Sequence, residues 1–229
     1  GRIYRYRARR RRRYRGRRGN RRQKPLVLAN RSRVGFPAVY YTKMRYVTTI
    51  KFPTASATNS SITFRLNDLS DPYVSGGTGA KNLQPTWYDE LAQIYGMFTV
   101  LGVGVKIQFY NQDSAAPVHF SYYPGLNASP VYTVREATAE QKYAQRVLGV
   151  DDAIVKRSSY ISMQKVTGVR GIQSLVTGGW SGLLATPGSI AYLHIMAEQL
   201  VSAAAFNAYA CIELNFYTRW ARMANVQDS

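Results

Sequence analysis

Between residues 43 and 52 the chain alternates without a break. Met44, Tyr46, Thr48, Ile50 and Phe52 share one parity, and Lys43, Arg45, Val47, Thr49 and Lys51 share the other. Such period-2 patterning sends successive side chains to opposite faces of a strand and leaves one face apolar. The pattern recurs with Ile62, Phe64 and Leu66 against Thr63, Arg65 and Asn67, and with Val103, Val105, Ile107 and Phe109 against Gly104, Lys106, Gln108 and Tyr110. It closes with Ile212, Leu214, Phe216 and Trp220 against Cys211, Glu213, Asn215, Tyr217 and Arg219. A sheet with one apolar face must cover it with a second layer, so these strands predict two packed sheets or a barrel.

Shorter strands fit at about 117–123, 158–166, 171–177 and 189–198, eight in all, between loops rich in Gly, Pro, Ser and Asn at 70–85, 111–117 and 178–189. The connections are too short and irregular for βαβ crossovers, which excludes a regular parallel sheet. The expected class is all-β, a single eight-stranded antiparallel jelly roll. Periodicity alone does not separate that from an immunoglobulin-type sandwich. Two short helices are expected in loops. Thr86 is placed to cap one whose Trp87, Leu91 and Ile94 line a face, with Asp89 and Glu90 in its first turn. A second spans about 137–147.

The start of the chain obeys other rules. Residues 1–24 hold Arg2, Arg5, Arg7, Arg9, Arg10, Arg11, Arg12, Arg13, Arg15, Arg17, Arg18, Arg21, Arg22 and Lys24, no acid, and the interleaved Tyr4, Tyr6 and Tyr14. A segment so charged and so poor in apolar residues does not fold alone and is expected to be a disordered arm. Residues 25–42, with Pro25, Gly35 and Pro37, read as a linker, and 43–229 as the folded domain. The whole chain carries +19, of which the arm supplies +14; the remaining 17 basic and 12 acidic residues leave +5.

A polycation threaded with aromatics suits nucleic acid. Arginine places paired donors on phosphate, binding releases counterions, and tyrosine stacks on unpaired bases. With no zinc motif, RNP motif or recognition helix, binding is expected to tolerate any base sequence. Lys43, Arg45 and Lys51 on the polar face of the first strand extend the candidate nucleic-acid-binding set beyond the arm. The same arm composition serves as a nuclear-import address.

Signals for catalysis, metal or cofactor are weak. His119 and His194 lie in expected strands away from any nucleophile motif, and Cys211 has no neighbour to activate it. Asp68 with Asp71, and Asp151 with Asp152, read as solvated turns rather than cation sites. The glycine clusters at 76–79, 102–104 and 178–182 match no phosphate-binding fingerprint. Neither an enzyme nor a bound cofactor is expected. One cysteine rules out an internal disulfide framework and fits a reducing compartment. The most apolar stretch, 193–214, is broken by Glu198, Gln199 and Glu213, so no membrane insertion is expected.

A basic arm leading into an eight-strand domain without a catalytic set resembles viral coat proteins. Arg2-Ile-Tyr-Arg-Tyr-Arg and Arg13-Tyr-Arg-Gly-Arg-Arg are similar to the arms of capsid proteins from circoviruses and related small circular single-stranded DNA viruses. Trp87-Tyr-Asp-Glu-Leu-Ala-Gln-Ile-Tyr95 with the strand to Phe109, and Cys211-Ile-Glu-Leu-Asn-Phe-Tyr-Thr-Arg-Trp220, resemble a helix and two strands of such jelly rolls. The resemblance implies a homo-oligomeric icosahedral shell of about sixty subunits with arms on a single-stranded DNA genome. It also implies nuclear-import receptors, a host cell-surface receptor and residence in the virion, with passage through the host nucleus. The coats of small RNA or satellite viruses share much of this pattern. A cellular nucleic-acid-binding protein that does not assemble would spread its basic residues over the folded surface, whereas here they gather in one tail. A cupin-like or carbohydrate-active jelly roll would need a histidine-rich or acidic pocket.

Overall fold

The computed structural model describes residues 36–52, 59–75, 84–112, 117–139, 145–148, 154–168, 181–182, 187, 189–199 and 207–221. In chain order its elements are β1 (Val39–Lys51), β2 (Asn59–Arg65), β3 (Tyr73–Ser75), α1 (Tyr88–Ile94), β4 (Met97–Asn111), β5 (Val118–Gly125) and α2 (Val134–Ala139). There follow β6 (Gln145–Leu148), β7 (Val155–Ser162), α3 (Met163–Thr167), β8 (Ser181–Gly182), β9 (Tyr192–Gln199) and β10 (Ala208–Ala221).

The strands form two antiparallel sheets. Sheet 1 runs β1-β10-β4-β7, with the two-residue β8 on β4; sheet 2 runs β3-β2-β9-β5-β6. Setting aside the short β3 and β8, the first and last long strands pair in one sheet while the second and second-last pair in the other. That interleaving of two four-strand Greek keys is the jelly roll, and it decides against the immunoglobulin-type alternative.

The alternation read from the sequence is the inside-outside pattern of the fold. Met44, Tyr46 and Ile50 of β1 with Phe52 just after it, Val103, Val105, Ile107 and Phe109 of β4, and Ile212, Leu214, Phe216 and Trp220 of β10 are all buried. They meet Ile62 and Phe64 of β2, Phe120 and Tyr122 of β5, and Leu193 and Ile195 of β9 across the sandwich in one continuous core. At one end Trp220, wholly buried, packs its ring against Phe98, Tyr88 and Tyr95 at centroid distances of 5.2, 6.0 and 6.3 Å. Its Nε1–H donates to Thr218 Oγ1 at 3.0 Å, and the Thr218 hydroxyl donates to the Thr42 carbonyl at 3.1 Å. A buried indole N–H needs such an acceptor.

Four expectations change. Thr86 does not cap α1. Trp87 occupies the N-cap with φ 74°, in the left-handed region, and no side chain caps the helix. Trp87 is 67% exposed, and Tyr88 goes inside in its place. The reason is that the Thr86 N–H donates to the Arg45 carbonyl at 3.1 Å on the open edge of β1, which fixes the loop so that only a sharp turn at 87 sends Tyr88 into the aromatic cluster. A non-glycine residue in that region costs about 1–3 kcal/mol.

The second helix is earlier than 137–147. Thr133 N–H donates to Glu136 Oε2 at 2.8 Å, and Glu136 N–H to Thr133 Oγ1 at 3.3 Å, a reciprocal capping box that starts α2 at Val134. The chain at 145–148 is then free to form β6 on β5. The expected strand at 158–166 runs from Val155 to Ser162, where Met163 opens the single turn of α3, ended by Gly168 at φ 75°. The strand expected at 171–177 lies outside the described residues.

Candidate nucleic-acid interface

The solvent face of sheet 1 collects the polar parities of its four strands. In register across β1, β10, β4 and β7 the rows read Arg45, Asn215, Gly104 and Tyr160; Val47, Glu213, Lys106 and Ser158; and Thr49, Cys211, Gln108 and Lys156. Lys43 and Tyr217 form the row on one side, opposite Gly102, and Lys51 and Tyr209 that on the other, opposite Tyr110. Tyr41 pairs with Arg219 beyond the β10 bulge. The face therefore bears Lys43, Arg45, Lys51, Lys106, Lys156 and Arg219 with Glu213 as its single carboxylate among the described residues.

Glu213 organises the centre. Arg45 Nη2 lies 2.7 Å from Glu213 Oε2 and Lys106 Nζ 3.0 Å from Oε1, while Asn215 Nδ2 donates to Oε1 at 2.7 Å. These donors, Asn215 first, then Lys106 and Arg45, hold its carboxyl at a pKa of about 2. The two cations remain largely exposed, 62% for Arg45 and 57% for Lys106, so each keeps donors for a further acceptor.

Around this centre cations stand over rings. Lys43 Nζ is 5.9 Å from the Tyr217 centroid, Lys51 Nζ 5.8 Å from Tyr209, and Arg219 Cζ 5.9 Å from Tyr41. At exposed sites each such contact is worth about 0.5–1 kcal/mol. Tyr160 meets Tyr217 edge to face at 5.7 Å. One glycine of β4 seats a ring. A Cβ on Gly102 would run into the Tyr160 phenol, whereas one on Gly104 would meet the Tyr217 ring at an ordinary 3.7 Å. Rings with adjacent cations on an open sheet match what an unpaired strand needs: a π-face per base and a donor per phosphate.

Of the residues picked from the sequence, Lys43, Arg45 and Lys51 share this face; Arg2 to Lys24 and the three arm tyrosines lie outside the described residues. Missed in the sequence were Lys106, Lys156, Arg219, Tyr41, Tyr160 and Tyr217. Lys106 and Arg219 stood in the polar parities already read. Lys156 and Tyr160 needed the β4–β7 pairing, which no local pattern announces.

The other singled-out residues have structural surroundings. His194 is buried; its Nε2–H donates to the Asn127 carbonyl at 3.0 Å, leaving Nδ1 to accept from the Thr63 hydroxyl at 3.2 Å, and burial pushes its pKa down. His119 is buried on β5 opposite Glu198. Asp71 Oδ2 takes Arg65 Nη1 at 2.6 Å, and Asp68, with the same nitrogen 3.7 Å away, accepts from Ser70. That pair is filled by a guanidinium. Cys211 is a half-buried free thiol, and Asp151 and Asp152 lie outside the described residues. No described helix is long and apolar enough to cross a membrane.

No family model matches the chain, and no curated protein does. Among solved structures it is similar to that of Desmodium yellow mottle tymovirus, with 8% identity, a TM-score of 0.41, and coverage of 86% of this chain and 95% of the other. Turnip yellow mosaic virus matches at 12% identity and a TM-score of 0.38 over 84% of this chain and 100% of that one. The capsid of a picornavirus, equine rhinitis A virus, matches at 10% identity and 0.38 over 83% and 78%.

Proposed function

We propose that this chain is a viral coat subunit that assembles with copies of itself into a small icosahedral shell and packs a single-stranded genome against its arm and the open face of sheet 1. The observation that carries the reading is that face: six cations, one carboxylate among the described residues and exposed tyrosines, on the sheet whose edge strand β1 begins at Val39, after the arginine-rich residues 1–24 and the linker. The jelly roll supports it as a closed two-sheet module of the kind found in viral capsid domains. In about sixty copies, arms of +14 would bring about 840 charges to the genome's phosphates.

Within that class we read the genome as single-stranded DNA and the arm as a nuclear-import address, on the Arg/Tyr texture shared with circovirus arms. The host import and cell-surface receptors follow from the same reading. No catalytic step and no cofactor enter it.

Fluorescence polarisation with a labelled single-stranded 20-mer, titrated against salt, tests the nucleic-acid part. If every arm charge engaged, the slope of log K against log salt would approach about −10. Removal of residues 1–24 should leave weaker, still salt-dependent binding on the body. Replacing Lys43, Lys51 and Lys156 together by Ala should lower that residual slope by about 2. A body that binds nothing, or a triple variant that binds as before, contradicts the role of the face. Competition with RNA of the same sequence decides the sugar: equal competition removes the preference for DNA.

A further inference from the structure

We infer that Trp87 is the anchor by which one copy of this chain docks into the next, inserting into a groove on the opposite flank of its neighbour. The inference rests on the assembly reading above and gives it a specific contact.

Trp87 leads α1 from a left-handed turn that leaves its indole in water, the most exposed of the large hydrophobic side chains described. Thr86 ties this loop to the open edge of β1 through the Arg45 carbonyl. On the other outer strand of sheet 1, β7, a groove of about 360 Å³ opens between Tyr160–Ser162, the end of β5 at Leu126, and Lys165 and Val166 of α3. Leu126 and Tyr160 lie there 53% and 61% exposed. An exposed tryptophan on one flank and, on the other, a groove of mixed lining that offers Leu126 and Val166 beside Lys165 are the kind of pair that hot spots make.

The occupant is a second copy for two reasons. The knob, whose loop is tied to β1, is exposed and is not among the residues that line the groove at β7, so one molecule does not fill its own groove. Two unlike patches on opposite flanks make a heterologous contact, which propagates from copy to copy and closes into rings when the rotation allows. The charges agree as well: Glu90 stands exposed beside Trp87 in the first turn of α1, and Lys165 stands on the groove.

The test is cross-linking within assembled protein. In a Cys211→Ser background that keeps Trp87, the double variant Glu90→Cys with Lys165→Cys should join under mild oxidation into a ladder of dimers, trimers and higher species, because each copy offers one knob and one groove. Either single variant should give no ladder. Particles that form normally without a ladder in the double variant overturn the docking contact and leave the assembly reading standing. A wild-type chain that stays monomeric at every concentration overturns both. In parallel, Glu90→Lys and Lys165→Glu should each raise the concentration needed for assembly at least tenfold with an unchanged unfolding midpoint. The combined variant should restore it; no recovery in the combination, or no effect of either, counts against the pairing.

Discussion

The phenol of Tyr160 occupies the space that a side chain at Gly102 would need: a Cβ there would come within 2.6 Å of Tyr160 Cζ. Two strands of sheet 1 thus share one seat, and the glycine of β4 decides how the tyrosine of β7 lies.

Gly102→Ala should therefore swing Tyr160 away from Tyr217. The exposed Tyr160 ring can move, but the Ile161 carbonyl, 3.0 Å from that Cβ, must give way as well, so folding stability should fall by about 0.5–3 kcal/mol. Affinity for single-stranded nucleic acid should fall by up to the value of one stacking contact, about 1–3 kcal/mol. Gly104→Ala, whose Cβ would meet Asn215 at an ordinary 3.6 Å, should change neither. Thermal unfolding and polarisation on the two variants check this.

Glu213→Gln removes the one carboxylate from a face of six cations. Affinity for a single strand should rise and its salt slope steepen by about 0.7. Stability at neutral pH should fall by about 1–3 kcal/mol, since Glu213 is only 20% exposed and its hydrogen bonds from Asn215, Lys106 and Arg45 go to a charged acceptor. The sign with pH follows from the depressed carboxyl. Its contribution is complete above the unfolded value of 4.5 and is lost as pH falls from there toward about 2. Denaturant unfolding from pH 6 to pH 2.5 should show a smaller acid loss in the Gln variant than in the wild type.

His194 reports on the opposite side of the sandwich. Its folded pKa lies below 6.5 because burial disfavours the imidazolium, so the unfolded chain binds the extra proton first. The neutral ring's contribution is complete above 6.5 and declines as pH falls through that value toward the folded pKa. An imidazole NMR titration should place His194 below 6.5; a midpoint above 6.5 would contradict its burial between Thr63 and Asn127.

Thr218→Val should destabilise by about 1–3 kcal/mol, because the buried Trp220 N–H loses its acceptor and the Thr42 carbonyl its donor. Urea unfolding measures it; a change below about 0.5 kcal/mol would contradict the assignment.

Much of this fold was legible because burial imposes parity. Met44 to Phe52, Val103 to Phe109 and Ile212 to Trp220 announce both their strands and their inner faces. What was hidden depends on contacts distant in sequence. Trp87 reads as a helix-face residue until the Thr86–Arg45 hydrogen bond turns the chain and exchanges it for Tyr88. Residues 145–147 read as the end of a helix until the Thr133–Glu136 box starts α2 early and β5 offers an edge. Lys43, Arg45 and Lys51 were visible as a cationic parity of one strand, but Lys156 and Tyr160 join them only through β4, and the seat at Gly102 appears only when β7 lies beside it.

The most direct test of the central claim is the mass and nucleic-acid content of purified particles, by light scattering and the ratio of absorbance at 260 to 280 nm, with and without residues 1–24. The account predicts closed, uniform particles that carry nucleic acid only when the arm is present. A stable monomer that binds nucleic acid and never closes into particles would contradict it.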